Sequence, residues 1–125
     1  MTRKKRTPFT AEGLRAFALA LDLPGITESV SWGQPTLKTF GKVWFYWNPT
    51  HNAPVFKLAS HDERDMLIEA APEIYFTTDH HRPYPVVLAR PDKVDPHWVR
   101  ENLVRVWRAQ APKRALKAHD EAGGA

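Results

Sequence analysis

The sequence lacks cysteine and any long apolar run. Without cysteine among its 125 residues, disulfide bonds and thiol chemistry are excluded. No stretch of about 18 consecutive apolar residues occurs, which argues against a membrane-spanning helix. The basic start of the chain is followed by Glu12 and Arg15 rather than by an apolar segment, which argues against a secretory signal. These absences predict a cytoplasmic protein that does not enter a membrane, and the length predicts a single domain.

Motifs for catalysis and cofactor binding are also missing. The sequence contains no glycine-rich phosphate-binding loop and no nucleophile elbow. Asp62, Glu63 and Asp65 fall in the first turn of a predicted helix, where the helix dipole already favours anions. His80 and His81 are adjacent in a loop, and no third ligand at a fixed spacing supports a metal site. The sequence therefore predicts a non-enzymatic protein without catalytic residues, metal or cofactor.

Basic charge is concentrated at the two ends of the chain. Lys and Arg number 18 and Asp and Glu 14, and the RKKR segment at residues 3–6 accounts for the whole net charge of +4. The neutral remainder is polarised, because residues 96–117 carry six basic residues and one acidic residue. This distribution permits attraction to an anionic partner such as DNA. The candidate phosphate-binding residues are Arg100, Arg105, Arg108, Lys113, Arg114 and Lys117.

Capping and turn signals divide the chain into short elements. Thr10 and Asp95 are predicted N-caps, and Ser60 with Glu63 is predicted to form a reciprocal capping box. Gly41-Lys42 is predicted to form a tight hairpin turn between two strands. In chain order, the predicted elements are a helix from residue 10, strands at 36–40, 43–48 and 54–59, a helix at 61–70, strands at 73–76 and 85–90, and a helix from residue 95 to Pro112.

The element order α-β-β-β-α-β-β-α predicts the fold class. Hairpin-linked strands without regular βαβ alternation indicate an α+β two-layer sandwich, with an antiparallel five-stranded sheet and helices on one face. The predicted domain spans residues 10–117. A disordered basic tail is predicted at 1–9 and a flexible tail at 118–125.

The strand VWFYWN at residues 43–48 is aromatic on both faces. Strict alternation directs Trp44 and Tyr46 away from Phe45 and Trp47. One layer of helices covers only one face of the sheet, which leaves three alternatives for the other face. It forms a protein contact or homodimer interface, it is covered by a terminus or the 77–84 loop, or it binds a ligand or nucleic acid. The candidate residues of this surface are Trp32, Trp44, Tyr46, Lys57 and Tyr84.

The segment WGQP at residues 32–35 has two interpretations. In the structural one, which we favour, Gly33 permits a tight bend and the proline fixes φ at the entry to a strand. In the functional one, Trp32 stacks on a base or a sugar, or helps to form a small-ligand pocket with Trp44 and Tyr84.

An ordered set of short motifs resembles the MmcQ/YjbR-like family of small bacterial proteins. The matching features are LALDLPG at residues 19–25, WGQP at 32–35, the Gly41-Lys42 turn, FKL at 56–58, Phe76 and APKR at 111–114. The resemblance covers roughly residues 10–117. It implies a two-layer α+β sandwich of this helix and strand order, comparable to frataxin-like and secretion-chaperone-like folds. It also implies a predicted DNA-binding role, which some members carry from a structural "double wing" comparison.

One position departs from the family pattern. Many relatives place a tryptophan just before the fifth strand, whereas this chain has Arg82-Pro83-Tyr84-Pro85, with Tyr84 as the candidate replacement.

The leading hypothesis is a non-enzymatic binding module that contacts DNA through the basic C-terminal helix and the tails. The alternatives are a protein-interaction or homodimerising domain that uses the aromatic sheet face, and a small-ligand pocket near Trp32.

Overall fold

The structure, a computed structural model, describes residues 9–31 and 33–123. Most of the basic tail predicted at 1–9 and the aromatic candidate Trp32 therefore lie outside the described residues. In chain order, the elements are α1 (Ala11–Leu19), β1 (Ile26–Ser31), β2 (Gln34–Thr39), β3 (Lys42–Asn48), β4 (Ala53–Lys57), α2 (His61–Ala70), β5 (Tyr75–Phe76), β6 (Val86–Ala89), α3 (Pro96–Gln110) and α4 (Lys113–Glu121).

The strands of the described residues form one open antiparallel sheet in the order β1-β2-β3-β4-β6-β5. The predicted α+β class with an antiparallel sheet is confirmed. The sheet has six strands rather than five, because β1 pairs with β2 along its whole length. The sequence did not predict β1, since most of its residues are polar, and it did not predict α4. None of the helices in the described residues is long and apolar enough to cross a membrane.

The main hydrophobic core lies between the helices and one face of the sheet. Leu14 of α1, Leu103 and Trp107 of α3, and Phe56 of β4 are fully buried in it. The Trp107 indole N–H donates to the carbonyl of Pro24 at 2.7 Å. This bond fixes the connection between α1 and β1 against α3.

The predicted N-caps are confirmed by their hydrogen bonds. Thr10, Ser60 and Asp95 each accept a bond from a backbone N–H in the first turn of the following helix, at 2.9–3.1 Å. The second half of the capping box differs from the prediction. Glu63 Oε1 accepts from the backbone N–H of Ala59 at 3.0 Å, one residue before the cap.

Strand β3 does not alternate strictly, because it contains a β-bulge. Leu37 pairs with Phe45, but the next residue, Lys38, pairs with Val43, so Trp44 is an extra residue on β3. Trp44 and Phe45 consequently both reach the main core, where they are 0% and 7% exposed. The prediction that Trp44 and Phe45 lie on opposite faces of the sheet is therefore wrong.

The hairpin between β2 and β3 turns one residue earlier than predicted. Thr39 pairs with Lys42, so the turn is Phe40-Gly41, with φ values of 50° and 84°. The Phe40 ring packs on Gly25, where an added Cβ would lie 2.4 Å from the ring. Gly25 itself has φ 79° and accepts the Phe40 N–H at its carbonyl, at 2.9 Å. Glycine is therefore required at position 25 by both conformation and space.

Candidate ligand-binding cleft

The sheet face opposite the helices is covered by the segment at residues 77–85. A small second core is buried on this face: Ala53, Val55 and Leu88. His81 of the covering segment is buried, and its ring stacks on Tyr46 with the centroids 6.4 Å apart. Of the alternatives that the sequence left open for this face, cover by a segment of the same chain is the one that the structure shows.

Arg64 of helix α2 holds the covering segment in place. Its guanidinium is buried, and Nη1 donates to the carbonyls of Arg82 at 2.6 Å and Tyr84 at 3.3 Å. His61 Nε2 lies 2.9 Å from the carbonyl of Pro83. Three consecutive carbonyls of the segment are therefore bonded to one helix, which fixes the segment without a regular strand or helix of its own.

Strands β2 and β3 separate towards one end of the sheet. Their pairing ends at Leu37 and Phe45. Beyond that pair, residues 34–36 remain paired with β1 and residues 46–48 remain paired with β4. Residues 34–36 of β2 and residues 47–48 of β3 are thus not paired with each other across the gap. Pro35 suits this position because a proline, which lacks an N–H, is tolerated at the edge of a sheet and not in its middle.

The gap between β2 and β3 holds a cavity of about 320 Å³. Its lining comes from both strands and from the two neighbouring loops: Gln34, Pro35, Thr36, Tyr46, Trp47, Asn48, Pro49, His80 and His81. Aromatic rings, prolines and uncharged polar groups alternate around it, which is the composition of a small-molecule site.

The amide side chains in the cleft are only partly used by the protein. Asn48 Oδ1 accepts from the backbone N–H of His51 at 2.9 Å, and Trp47 Nε1 donates to Asn52 Oδ1 at 3.1 Å. Within residues 9–31 and 33–123, the Asn48 amide nitrogen and the whole Gln34 side-chain amide make no hydrogen bond. These groups remain available to a ligand as donors and an acceptor.

Two titratable side chains of the cleft, Tyr46 and His81, are uncharged at neutral pH. Burial, with a smaller contribution from Tyr84, raises the pKa of Tyr46 above its ordinary value. Burial also lowers the pKa of His81 below 6.5, and the neighbouring His80 and His51 act in the same direction. Tyr46 is therefore a phenol and His81 a neutral imidazole.

A second, smaller cavity of about 100 Å³ opens on the α1 side of the same gap. It shares five lining residues with the first: Gln34, Pro35, Thr36, Tyr46 and Trp47. Glu12 and Arg15 line its far side, and Arg15 forms an ion pair with Glu28. The two cavities therefore lie on opposite sides of one gap, and among their described lining residues only the α1 side includes Asp, Glu, Lys or Arg side chains.

Two of the predicted aromatic-surface residues belong to the helix side of the molecule. Trp44 is fully buried, and its indole N–H donates to the carbonyl of Leu103 in α3 at 2.9 Å. The prediction that Trp44 lies on an exposed surface is therefore wrong, for the reason that the bulge turns it into the core. Lys57 is half-buried, and its Nζ donates to Gln110 Oε1 at 2.9 Å.

Tyr46 and Tyr84 are the described candidates that lie near the cleft. Tyr46 lines it, whereas Tyr84 is 56% exposed in the covering segment and is not part of the lining. Trp32, around which the pocket was predicted, is outside the described residues, but its neighbour Gln34 lines the cavity. The candidate residues therefore do not form one continuous aromatic surface.

The basic candidates fall into two groups, of which the first is engaged within the protein. Arg105 Nη1 bonds Glu63 Oε2 at 2.6 Å, and its Nη2 also donates to Asn102. Arg108 forms a two-pronged ion pair with Asp120 of α4, at 3.0 and 3.1 Å. These two arginines join α3 to its neighbouring helices, so a phosphate would have to compete with their carboxylate partners.

The second group of basic candidates is exposed. Lys113, Arg114 and Lys117 lie on α4, and none has a carboxylate within ion-pair distance among the described residues. Arg100 Nη1 is 3.9 Å from Glu101, at the limit of such a contact. Within residues 9–31 and 33–123, no cluster of three or more metal-ligating side chains is found.

The domain that carries this cleft matches a known family. The match is to YjbR and extends over residues 21–109, which includes all six described strands, helix α2 and all of α3 except its last residue. The chain belongs to the YjbR family. All residues that line the larger cavity lie inside the matched region, so the cleft is part of the YjbR domain rather than of an added segment.

Three curated mycobacterial proteins are similar to part of this YjbR-family chain. They are the uncharacterized proteins Mb2600 from Mycobacterium bovis and MT2646 and Rv2570 from Mycobacterium tuberculosis, each 38% identical over 52 residues. The similarity covers 42% of this chain, and the chain spans about 40% of the length of those relatives. No solved structure matches this YjbR-family chain.

Several cleft residues were missed by the sequence analysis. Gln34, Asn48 and His81 carry no signal of their own, because amides and histidines in loops and at strand ends are common. The one available signal was Pro35 within an otherwise extended segment, which indicates that the ladder is incomplete there.

Proposed function

We propose that this YjbR-family protein is a non-enzymatic binding module that holds a small organic ligand between β2 and β3. The observation that carries the proposal is the separation of these strands beyond Leu37 and Phe45, while β2 remains paired with β1 and β3 with β4. Unpaired strand edges inside a protein cost free energy unless water or a ligand satisfies them. A ligand in the gap would supply those hydrogen bonds.

The size and lining of the cleft support this proposal. Its volume of about 320 Å³ falls at the lower end of the range that small-molecule sites occupy, roughly 300–1,000 Å³. Aromatic and proline surfaces give a ligand apolar contact, while hydrogen bonds to the Gln34 and Asn48 amides fix its orientation. The covering segment, fixed by Arg64, forms a rigid third wall through His80 and His81.

The test is a fragment screen that reports the position of binding. Isotope-labelled protein is mixed with a library of charged and uncharged fragments, and backbone amide shifts are followed by NMR. We expect saturable shifts at Gln34 and at residues 46–48, with the amides of Lys113 and Lys117 unmoved as an internal control. If no fragment shifts the amides of the cleft, the proposal is wrong.

A matched pair of variants separates binding from folding. Gln34→Leu removes the free amide of the cleft, and Tyr84→Ala removes an exposed side chain of the covering segment that does not line it. We expect the first variant to weaken a cleft ligand and the second to leave it unchanged, while both keep the spectrum of a folded protein. Equal losses in the two variants would contradict a direct role for Gln34.

DNA binding through α4 is a second candidate function. It is favoured by the exposure of Lys113, Arg114 and Lys117, which lack carboxylate partners in the described structure. Each phosphate contact contributes about −0.9 to the slope of log affinity against log salt, so three contacts predict a slope of about −2.7. Salt titration of single- and double-stranded DNA binding measures this slope. A Lys113→Glu/Lys117→Glu variant should abolish DNA binding. Lys42→Glu, in the hairpin, serves as the control and should leave the binding unchanged.

A further inference from the structure

We infer that the ligand of the cleft is an uncharged planar heterocycle with adjacent N–H and C=O groups, the chemical class of nucleobases and nucleosides. This inference rests on the proposed function, because it names the ligand of the same cleft. Charge, hydrogen-bonding pattern and wall shape each support it.

The larger cavity has no carboxylate, ammonium or guanidinium group in its described lining. It contains no Asp, Glu, Lys or Arg, and Tyr46 and His81 are both neutral at neutral pH. An ionised ligand group placed there would lose its hydration without gaining an opposite charge, which is strongly unfavourable. A neutral ligand avoids that cost.

The free amide groups of the cleft place hydrogen-bond donors beside acceptors. The Gln34 amide presents a donor and an acceptor side by side, and the Asn48 amide nitrogen adds a donor. A ring with adjacent N–H and C=O groups matches such an amide with two parallel hydrogen bonds. The backbone edges of residues 34–36 and 47–48, which do not pair with each other, present the same alternation of N–H and C=O groups. A hydrocarbon ligand would leave all of these groups unsatisfied.

The walls of the cleft present flat surfaces. Tyr46 and His81 already form a stack with ring planes 26° apart, and Trp47 with Pro35 and Pro49 adds further flat surfaces to the lining. Aromatic faces bind planar rings, including nucleobases, by stacking. The covering segment and the two strands therefore enclose a site better suited to a flat ring than to a flexible chain.

The charges on the α1 side distinguish a free base or nucleoside from a nucleotide or a nucleic-acid strand. Glu12 and Arg15 line that side, and with Glu28, the ion-pair partner of Arg15, they carry a net charge of −1. Arg15 is already paired with Glu28, so it offers little to a phosphate. A phosphate group attached to the heterocycle would be repelled or remain unpaired at this end.

The experiment compares four compounds on the wild-type protein by amide-shift titration. Uridine has the planar donor–acceptor edge, 3-methyluridine lacks its N–H donor, uridine 5′-monophosphate adds a phosphate, and methyl glucoside is a neutral non-planar control. We expect uridine to shift the amides of Gln34 and residues 46–48, and 3-methyluridine to bind about tenfold more weakly, the upper end for one neutral hydrogen bond. We expect the monophosphate to bind no more tightly than uridine.

Two protein variants and an oligouridylate complete the test. Gln34→Leu should weaken uridine binding about tenfold, and Tyr84→Ala should leave it unchanged. Tighter binding of the monophosphate or of an oligouridylate by tenfold or more would overturn the inference, and so would methyl glucoside binding as tightly as uridine. If other fragments bind in the cleft and uridine does not, the inference fails but the proposed function stands. If no compound shifts the cleft amides, both fail.

Discussion

Replacing Arg64 with methionine tests whether this one side chain fixes the segment that covers the sheet. Methionine keeps a linear apolar side chain of similar reach but removes the guanidinium. The bonds to the carbonyls of Arg82 and Tyr84, at 2.6 and 3.3 Å, are lost, as is the contact of Nε with Asp65 at 3.1 Å. The change leaves the apolar contacts of helix α2 in place.

The expected loss of stability follows from these contacts. A hydrogen bond to a charged group contributes about 1.5–3 kcal/mol, and the shorter bond, to Arg82, is counted in full. The longer bond adds less, and the pair with the exposed Asp65 contributes about 0–1 kcal/mol. Burial of the guanidinium carries a desolvation cost that methionine avoids. We expect a net loss of about 2 kcal/mol in the free energy of unfolding.

Urea unfolding and hydrogen exchange measure the two consequences separately. The urea midpoint of Arg64→Met should fall, and the amide of His81, which bonds the carbonyl of Thr78 at 3.1 Å, should lose protection. Because His81 lines the cleft, ligand affinity should fall as well. Arg100→Met, on the exposed face of α3, is the control and should stay within about 0.5 kcal/mol of wild type. A variant Arg64→Met with wild-type stability and unchanged protection would refute the assigned role.

Three further changes follow from particular contacts. Gly25→Ala should cost at least about 2 kcal/mol, since alanine disfavours positive φ and its Cβ would strike the Phe40 ring, and thermal unfolding should show this as a lower Tm. Trp44→Phe should cost about 2–3 kcal/mol in urea unfolding, because it removes the bond to Leu103 and leaves a void, whereas wild-type stability would indicate an exposed ring. The folded-state pKa of His81 is depressed below 6.5, so the unfolded chain binds the proton more readily and stability should fall as pH drops below about 6.5. That pH dependence should be smaller in His81→Gln, and an identical slope in both proteins would contradict it.

Local signals allowed much of the fold to be predicted. The N-caps Thr10, Ser60 and Asp95 mark helix starts because each acts within its own turn, and Pro96 at the start of α3 fits the same rule. Strand β1 was not predicted because it is a polar edge strand, whose conformation depends on pairing with β2 rather than on its own residues.

Features that depend on register could not be predicted. The burial of Trp44 results from one extra residue in β3 relative to β2, and no local property of the sequence marks that bulge. The cleft likewise results from where two strands stop pairing. The cover over the second sheet face depends on Arg64 reaching residues 18 and 20 positions later in the chain, a contact that only the folded chain reveals.

A crystal structure with a compound from the fragment screen tests the central claim most directly. We predict that the compound lies between residues 34–36 and 46–48, in contact with the Gln34 amide and the aromatic rings of β3. A structure in which those two segments pair with each other and close the gap, or in which the compound binds elsewhere while the gap stays empty, would contradict the assignment of this cleft as the binding site.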